Sequence, residues 1–455
     1  MKNLTPRTIA AACGGTLVDC DAILDKEITG VVIDSRKVEP GCLFAPIRGA
    51  RVDAHDFISQ VMEAGALLTL TEKEEKAAGH PHILVKKTED ALLMIAEFYR
   101  QTMDIPVVGI TGSVGKTSTK EMIASVLSQK FRTLKTAGNY NSTIGLPLTI
   151  FRLREEDEIA VLEMGINHFG EMSKMAKAAR PDTMVITNIG TCHLEFLKDR
   201  DGVFEAKTEC FEYVPFDGTV VLNGDDDKLC RVDQVHGHAP IFYGMSPMNR
   251  VYAENIRPLG LKGTACTIVI DDREFDVTVP VPGMHMVMNA LAGAAVGSVY
   301  GLTDEEIKAG IEGLETLSGR FHILENESRT VIDDCYNANP MSMKAALGVL
   351  GDVDTHTTAI LGDMGELGEK DEARLHREVG VYAGEKAIDS YILVGKLAKY
   401  IGDGIRSEKP DAQIHSFETV EDLLGELLSL IPNGDTVLVK ASHFMGFDRI
   451  VEALR

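Results

Sequence analysis

The chain has 455 residues, 44% of them apolar and 25% charged, with a formal net charge of −23. That balance excludes a disordered chain, and no apolar stretch reaches the length of a bilayer span. The excess of carboxylates argues against a nucleic-acid or anionic-membrane surface, so an anionic substrate would have to be met by local cations and Mg²⁺.

The length allows about three domains, and there is no internal repeat or low-complexity tract. Short strands are expected at residues 30–34, 42–46 and 82–85, with helices over 54–63 and 90–100. A boundary fits at residues 102–104. Apolar runs at 105–110, 159–163, 184–187 and 219–222 alternate with helical patterns, the signature of a parallel sheet with covered faces. An insertion at 265–280 reads as a hairpin turning at Asp271 and Asp272, followed by helices over 285–300 and 304–314. A second boundary fits at 316–319. From Thr330 the alternation restarts, with strands near Val331, Ala359, Ile392, Ile414 and Val437, as in a doubly wound domain. Its first loop lacks GxGxxG, so it is not a standard dinucleotide site. The expected fold is α/β in three domains. Residues 1–103 form a small substrate domain, 104–316 a central P-loop ATPase-like domain with a parallel sheet, and 317–455 a Rossmann-like domain. Two α/β domains around a phosphate loop suggest an enzyme that closes on its substrates.

The central feature is Gly109-Ile110-Thr111-Gly112-Ser113-Val114-Gly115-Lys116-Thr117-Ser118. A β-branched strand enters a glycine-punctuated turn and leaves as a helix near Lys116. Such a turn aims its backbone N–H groups at an anion, and the helix start adds partial positive charge. Gly112, Ser113, Val114, Gly115, Lys116, Thr117 and Ser118 would cradle phosphates, with Lys116 on the outer ones and Thr117 on Mg²⁺. The usual GxxxxGK(S/T) spacing is absent, since its first glycine would fall on Ile110; the shorter TGxxGKT form stands instead. A nucleoside triphosphate is the expected ligand.

The eight cysteines (13, 20, 42, 192, 210, 230, 266 and 335) contain no CxxC pair and are expected as reduced thiols in a cytoplasmic protein. The first residues lack the apolar core of a signal peptide. Cys230, His236 and His238 come nearest to a metal cluster but read as a polar turn.

Other candidates carry two readings each. Glu163 ends a strand beside the phosphate loop, where a carboxylate can bind Mg²⁺ or be solvated. His193 and Lys207, taken alone, fit a structural histidine and a solvated helix lysine. Asp34-Ser35-Arg36 offers a hydroxyl and a planar cation to an anionic sugar nucleotide, and equally fits a surface turn. Residues 333–340 end the first strand of the last domain, where polar groups meet ligands. Asn339 and Pro340 there also suit a helix start, and both readings can hold.

Together these stretches resemble the Mur ligase family over nearly the whole length. The resemblance takes in Asp34-Ser35-Arg36, Asp53-Ala54-His55-Asp56-Phe57, residues 111–117 and Gly138-Asn139-Tyr140-Asn141-Ser142-Thr143-Ile144-Gly145-Leu146-Pro147. It continues through Glu163-Met164-Gly165, Thr187-Asn188-Ile189-Gly190 with His193, Lys207, Asn289 and Gly319-Arg320. The last third adds residues 334–340, Gly362-Asp363-Met364-Gly365-Glu366-Leu367-Gly368 and Val437-Leu438-Val439-Lys440.

The resemblance implies roles. Lys116 would bind the outer phosphates of ATP; Thr117, Glu163, His193 and Lys207 would serve magnesium, Lys207 as a carbamate. Asn289, Arg320, Asp334, Tyr336 and Asn337 would meet the nucleotide. Ser35, Arg36, Asn139, Asn141 and Ser142 would meet the substrate. Lys116, Lys207, His193 and Arg320 would be catalytic. The implied reaction belongs to peptidoglycan precursor synthesis: ATP activates a UDP-N-acetylmuramoyl-tripeptide as an acyl phosphate, and D-alanyl-D-alanine attacks it. A monomer is expected, with no nucleic-acid partner and no membrane insertion. Three departures stand out. The family's HNxxN reads His285-Met286-Val287-Met288-Asn289, DGH reads Asp53-Ala54-His55, and KGSR reads Lys440-Ala441-Ser442-His443. The last replaces a permanent cation by a titratable ring.

Rival readings are a sister ligase adding one amino acid to the UDP-muramoyl dipeptide, a folate-polyglutamate ligase, a P-loop NTPase switch and a binding module without catalysis. The N-terminal Asp34-Ser35-Arg36 domain and residues 336–340 disfavour the folate reading. A guanine-specific switch calls for NKxD, which is absent.

Overall fold

The computed structural model describes residues 1–49 and 51–455. The backbone packs as two compact units. One comprises Met1–Thr111, Phe131–Val185 and Lys207–Thr219; the other comprises Gly112–Lys130, Ile186–Ala206 and Val220–Arg455.

The described residues form three sheets. The N-terminal one has five strands in the order Thr16–Val18, His82–Leu84, Leu68–Thr71, Leu43–Phe44 and Val31–Val32. Its first pair is antiparallel and the others are parallel. Cys42, Phe44, Ile58, Val61, Ala66 and Ala77 form its buried cluster. The expected helix over 54–63 begins as a 3-10 turn, Ala54–Phe57, because Asp53 caps it by accepting the His55 amide.

The central sheet has nine strands, ordered Arg273–Val279, Thr264–Ile270, Val251–Pro258, Ile241–Gly244, Thr219–Asn223, Thr183–Ile186, Val107–Thr111, Ile159–Glu163 and Thr133–Lys135. Val107–Thr111 and Ile159–Glu163 are buried along their whole length and pair in parallel, which is why both read as continuous apolar runs. The expected parallel sheet is present, and it extends at one edge into antiparallel strands. The hairpin at Asp271 forms as expected and continues the main sheet; Thr264–Ile270 is antiparallel to Val251–Pro258 on one side and to Arg273–Val279 on the other. Val251–Pro258 escapes detection because a bulge between Glu254 and Arg257 breaks its alternation and its outer half is exposed.

The third sheet runs His322–Glu325, Arg329–Asp333, Asp435–Lys440, Thr357–Gly362, Ser390–Val394 and Gln413–Phe417. All its pairs are parallel except the first. The doubly wound expectation therefore holds, with one added antiparallel strand. Helix Pro340–Gly351 starts as its sequence suggests: Asn339 caps it reciprocally with Ser342, and Pro340 fills the first turn, where no N–H is needed.

The Cys230 to His238 stretch closes as a turn, with the Val235 and His238 backbones exchanging hydrogen bonds. All eight cysteines are free thiols. Among the described residues, no helix is long and apolar enough to cross a membrane.

One buried histidine links this fold to pH. His376 is fully buried; its Nδ1 donates to the Glu372 carbonyl at 2.7 Å and its Nε2 accepts the Met364 amide at 2.8 Å. Burial pulls its pKa below the ordinary 6.5. On acidification the unfolded chain binds the proton first, so this contribution to stability is complete above about pH 6.5 and lost below it. The urea midpoint is expected to fall as pH drops from 7 to 5.5. His376→Gln, which keeps an acceptor for Met364, should flatten that slope.

Candidate active site

Strand Val107–Thr111 delivers the chain to the loop, and helix Lys116–Leu127 carries it away. Gly115 caps that helix at φ +83° and supplies no side-chain acceptor. No cap side chain therefore competes with an anion at this helix start, where the helix dipole adds partial positive charge. Lys116 Nζ donates to the carbonyls of Gly112 at 2.8 Å and Ser113 at 3.4 Å.

The loop is held from the segment after strand Thr183–Ile186. Asn188 accepts the Ser113 amide on its carbonyl at 3.0 Å and the Val114 amide on Oδ1 at 2.9 Å. Asn188 Nδ2 and Thr187 Oγ1 both donate to the Val114 carbonyl, at 3.0 and 2.7 Å. Ser113 Oγ accepts the Gly190 amide at 2.8 Å and the Cys192 thiol at 3.2 Å. Gly112 stands at φ +148°, and a Cβ there would lie 1.9 Å from Thr187 Oγ1. Gly112→Ala must therefore displace Thr187 and with it the support of Val114. The expected result is a loss of ADP affinity of about a hundredfold, the scale of two to three kcal/mol, with folded protein recovered. Isothermal titration with Mg-ADP checks it.

Around the helix start, Thr117 is buried and its Oγ1 accepts Arg320 Nη2 at 3.3 Å. The Arg320 guanidinium lies over the Tyr336 ring, 3.9 Å from its centroid. Asp334 Oδ2 accepts the buried Lys440 ammonium at 2.6 Å, while Oδ1 accepts the Phe321 amide at 3.2 Å. Lys440 also reaches the Asn337 carbonyl at 3.2 Å. The exposed Asn337 turns its Oδ1 onto the Ala338 amide. Asn289 is buried; its Oδ1 accepts the Thr119 hydroxyl at 2.8 Å and its Nδ2 contacts Met286 Sδ at 3.2 Å. Its carboxamide thus ties helix Met284–Val299 to helix Lys116–Leu127. His193 adopts a left-handed backbone, φ +53°, and places Nδ1 3.2 Å from Glu366 Oε2, itself at φ +61°.

In the other unit, Glu163 is buried in register with Ile110, two positions before the loop. Its Oε1 accepts Asn141 Nδ2 at 2.6 Å, and its amide donates to Thr136 Oγ1 at 3.0 Å. Asn139 and Ser142 shape the same segment: the Asn139 carbonyl accepts the Asn141 amide, and Ser142 Oγ accepts the Gly145 amide. Lys207 is buried too, and its carbonyl accepts the Cys210 thiol at 3.0 Å. Ser35 and Arg36 sit in the turn Ser35–Lys37, where Arg36 grips Asp34 through two side-chain bonds of 2.9 and 2.7 Å. Those bonds hold the Asp34 carboxyl down to about 2. His55 Nδ1 lies 2.7 Å from Asp53, and its Nε2 accepts the Glu72 amide, so the Asp53-Ala54-His55 variant keeps its internal contact.

Thr117, Arg320 and Tyr336 thus come together beside the loop, with Asp334 reached through Lys440. Sequence reasoning placed Thr187, Asn188 and Lys440 in the stretches that carry the resemblance but gave none of them a role. Lys440 carried the signal that singled out Glu163, a charge at the tip of a wholly buried strand. The donor set fits a magnesium nucleotide. Among the described residues, no three His, Cys, Asp or Glu are placed to hold a metal by themselves. Magnesium instead takes one or two protein oxygens and completes its shell with phosphates and water.

Comparison with known proteins agrees with this geometry. The family models described as "Mur ligase family, catalytic domain", "Mur ligase middle domain" and "Mur ligase, glutamate ligase domain" match residues 27–100, 110–297 and 319–443. The UDP-N-acetylmuramoyl-tripeptide–D-alanyl-D-alanine ligase of Bacillus subtilis (strain 168) is 36% identical over 459 residues, covering 100% of this chain and 99% of its own. The crystal structure of MurF from Acinetobacter baumannii superposes with a TM-score of 0.92 at 31% identity, covering 99% of this chain and 98% of that one. MurF from Thermotoga maritima, solved in complex with ADP, gives 0.83 at 28% identity over 93% and 96%. With a full-length relative at this identity and three successive stretches matched around such a cradle, the chain belongs to the Mur ligase family.

Proposed function

We propose that the chain is an ATP-dependent amide ligase that joins D-alanyl-D-alanine to UDP-N-acetylmuramoyl-tripeptide. The observation that carries the reading is the stapled loop with its uncapped helix start, Lys116 above it and Arg320 on Thr117. Domains at 1–103, 104–316 and 317–455 are proposed to hold the UDP-substrate, the nucleotide and the acceptor side of the reaction.

The terminal carboxylate of the tripeptide attacks the γ-phosphoryl group, and ADP leaves. The amine of the dipeptide then attacks the acyl phosphate, and the tetrahedral adduct collapses to amide and inorganic phosphate. Bringing a carboxylate to a triphosphate opposes like charges, which Lys116 and Arg320 offset. Thr117, Glu163, His193 and Lys207 are proposed to serve the magnesium sites, where bound metal would neutralise the remaining charge. Lys207 would act as a carbamate: its neutral amine adds CO₂ and releases a proton, leaving an anion. Tyr336, Asn337, Asp334 and Asn289 are proposed to shape the nucleotide side, and Ser35, Arg36, Asn139, Asn141 and Ser142 the UDP-peptide side.

The test is mass spectrometry of the products from a panel of UDP-muramoyl peptides and acceptor dipeptides. Coupling of D-alanyl-D-alanine to the tripeptide is expected; coupling only of single amino acids to the dipeptide would assign the chain to a sister activity.

A further inference from the structure

We propose that His443 is a positioning residue, which acts through Tyr336 to hold the Arg320 guanidinium within reach of Thr117. The inference rests on the nucleotide reading of the phosphate loop and adds a residue to it.

His443 opens the short turn His443–Met445 and is solvent-exposed. Its backbone is nevertheless fixed. The preceding Ser442 is buried, accepts the Gly365 amide on Oγ at 2.9 Å and donates to the Ala338 carbonyl at 3.4 Å. From that anchor the imidazole stacks on Tyr336, with ring centroids 5.3 Å apart and planes inclined by 30°. Tyr336 is tied in turn to the turn that carries Arg320, since its amide donates to the Gly319 carbonyl at 3.1 Å. Gly319 is itself held by Asp333, which accepts its amide at 2.8 Å. The guanidinium rests 3.9 Å from the Tyr336 centroid, and Nη2 reaches Thr117 Oγ1.

A long arginine loses much rotamer freedom when it is fixed on a ligand, and a ring already in place removes part of that cost beforehand. The ring works only if it is itself fixed, and His443 packs against it. The chemistry of position 443 suits this task. The π surface of Tyr336 already carries one cation, and a second guanidinium against the same ring would repel the first. An imidazole offers a flat ring to the stack without bringing a permanent second guanidinium to it. The proposed influence of His443 passes through Tyr336 to Arg320.

The test is a double-mutant cycle on the full chain, read by ligation kinetics and by Mg-ADP titration. His443→Ala is expected to lower kcat about tenfold, since small misplacement of a group that meets developing charge is costly. Its KM for the UDP-peptide should stay unchanged. Arg320→Ala alone should lose about a hundredfold or more, and adding His443→Ala to it should cost nothing further. His443→Phe, which keeps a flat ring and no polar atom, should restore kcat to within about threefold of the parent. Losses that multiply in the double variant, a His443→Ala enzyme as fast as the parent, or a His443→Phe enzyme as slow as His443→Ala would overturn the proposal. A parent protein that binds no Mg-ADP would instead overturn the nucleotide site and His443 with it.

Discussion

Lys116→Ala is expected to reduce ligation by about a thousandfold, the upper range for removing one group that stabilises transition-state charge. Among the described residues the side chain makes two hydrogen bonds, both to loop carbonyls, and the loop is separately held by Thr187 and Asn188. The unfolding midpoint should therefore move by no more than about 2 °C. Phosphate release in the presence of both substrates measures the first quantity, and a circular-dichroism melt the second. Turnover equal to that of the parent enzyme would remove the outer phosphates from this loop. Such a result would leave the fold and family unchanged but would undo the proposed activation step.

Lys207→Ala is expected to be as damaging for a different reason. The proposed carbamate supplies an anion on the metal side, and losing it withdraws several kcal/mol of charge stabilisation, about a thousandfold in rate. Because Lys207 is buried, truncation also leaves a cavity. Lys207→Met, which fills the space without an amine, separates packing from chemistry. Lys207→Ala should regain part of its activity with a short carboxylate such as formate or acetate, which the filled site of Lys207→Met has no room to admit. Parent activity should rise with added bicarbonate in CO₂-depleted buffer. Parent-like rates in Lys207→Met, with no response of Lys207→Ala to carboxylates, would take Lys207 out of the mechanism.

What could be read in advance follows a physical rule. Strands Val107–Thr111 and Ile159–Glu163 were visible because burial on both faces makes them unbroken apolar runs, and each ends in a residue type that burial alone cannot explain. The start of helix Pro340–Gly351 was visible because capping is local in sequence. The contacts that shape the site are not local. Asn188 meets Val114 across 74 positions, Asn141 meets Glu163 across 22, and Lys440 meets Asp334 across 106. No periodicity records such pairs. Arg36 shows the opposite case: its residue type suggested an anion partner, and the structure pairs it with Asp34 two positions away. The edge strand Val251–Pro258 was hidden because a bulge and an exposed outer half leave nothing alternating to see.

The staples from Thr187 and Asn188 have a wider consequence. They fix the receptor's contour from within the chain, in advance of any guest, so an arriving nucleotide has little left to organise there. Evolution, or a chemist seeking a tighter competitor, can then gain little by reshaping the loop itself. The freedom that remains lies in the long cationic arms above it.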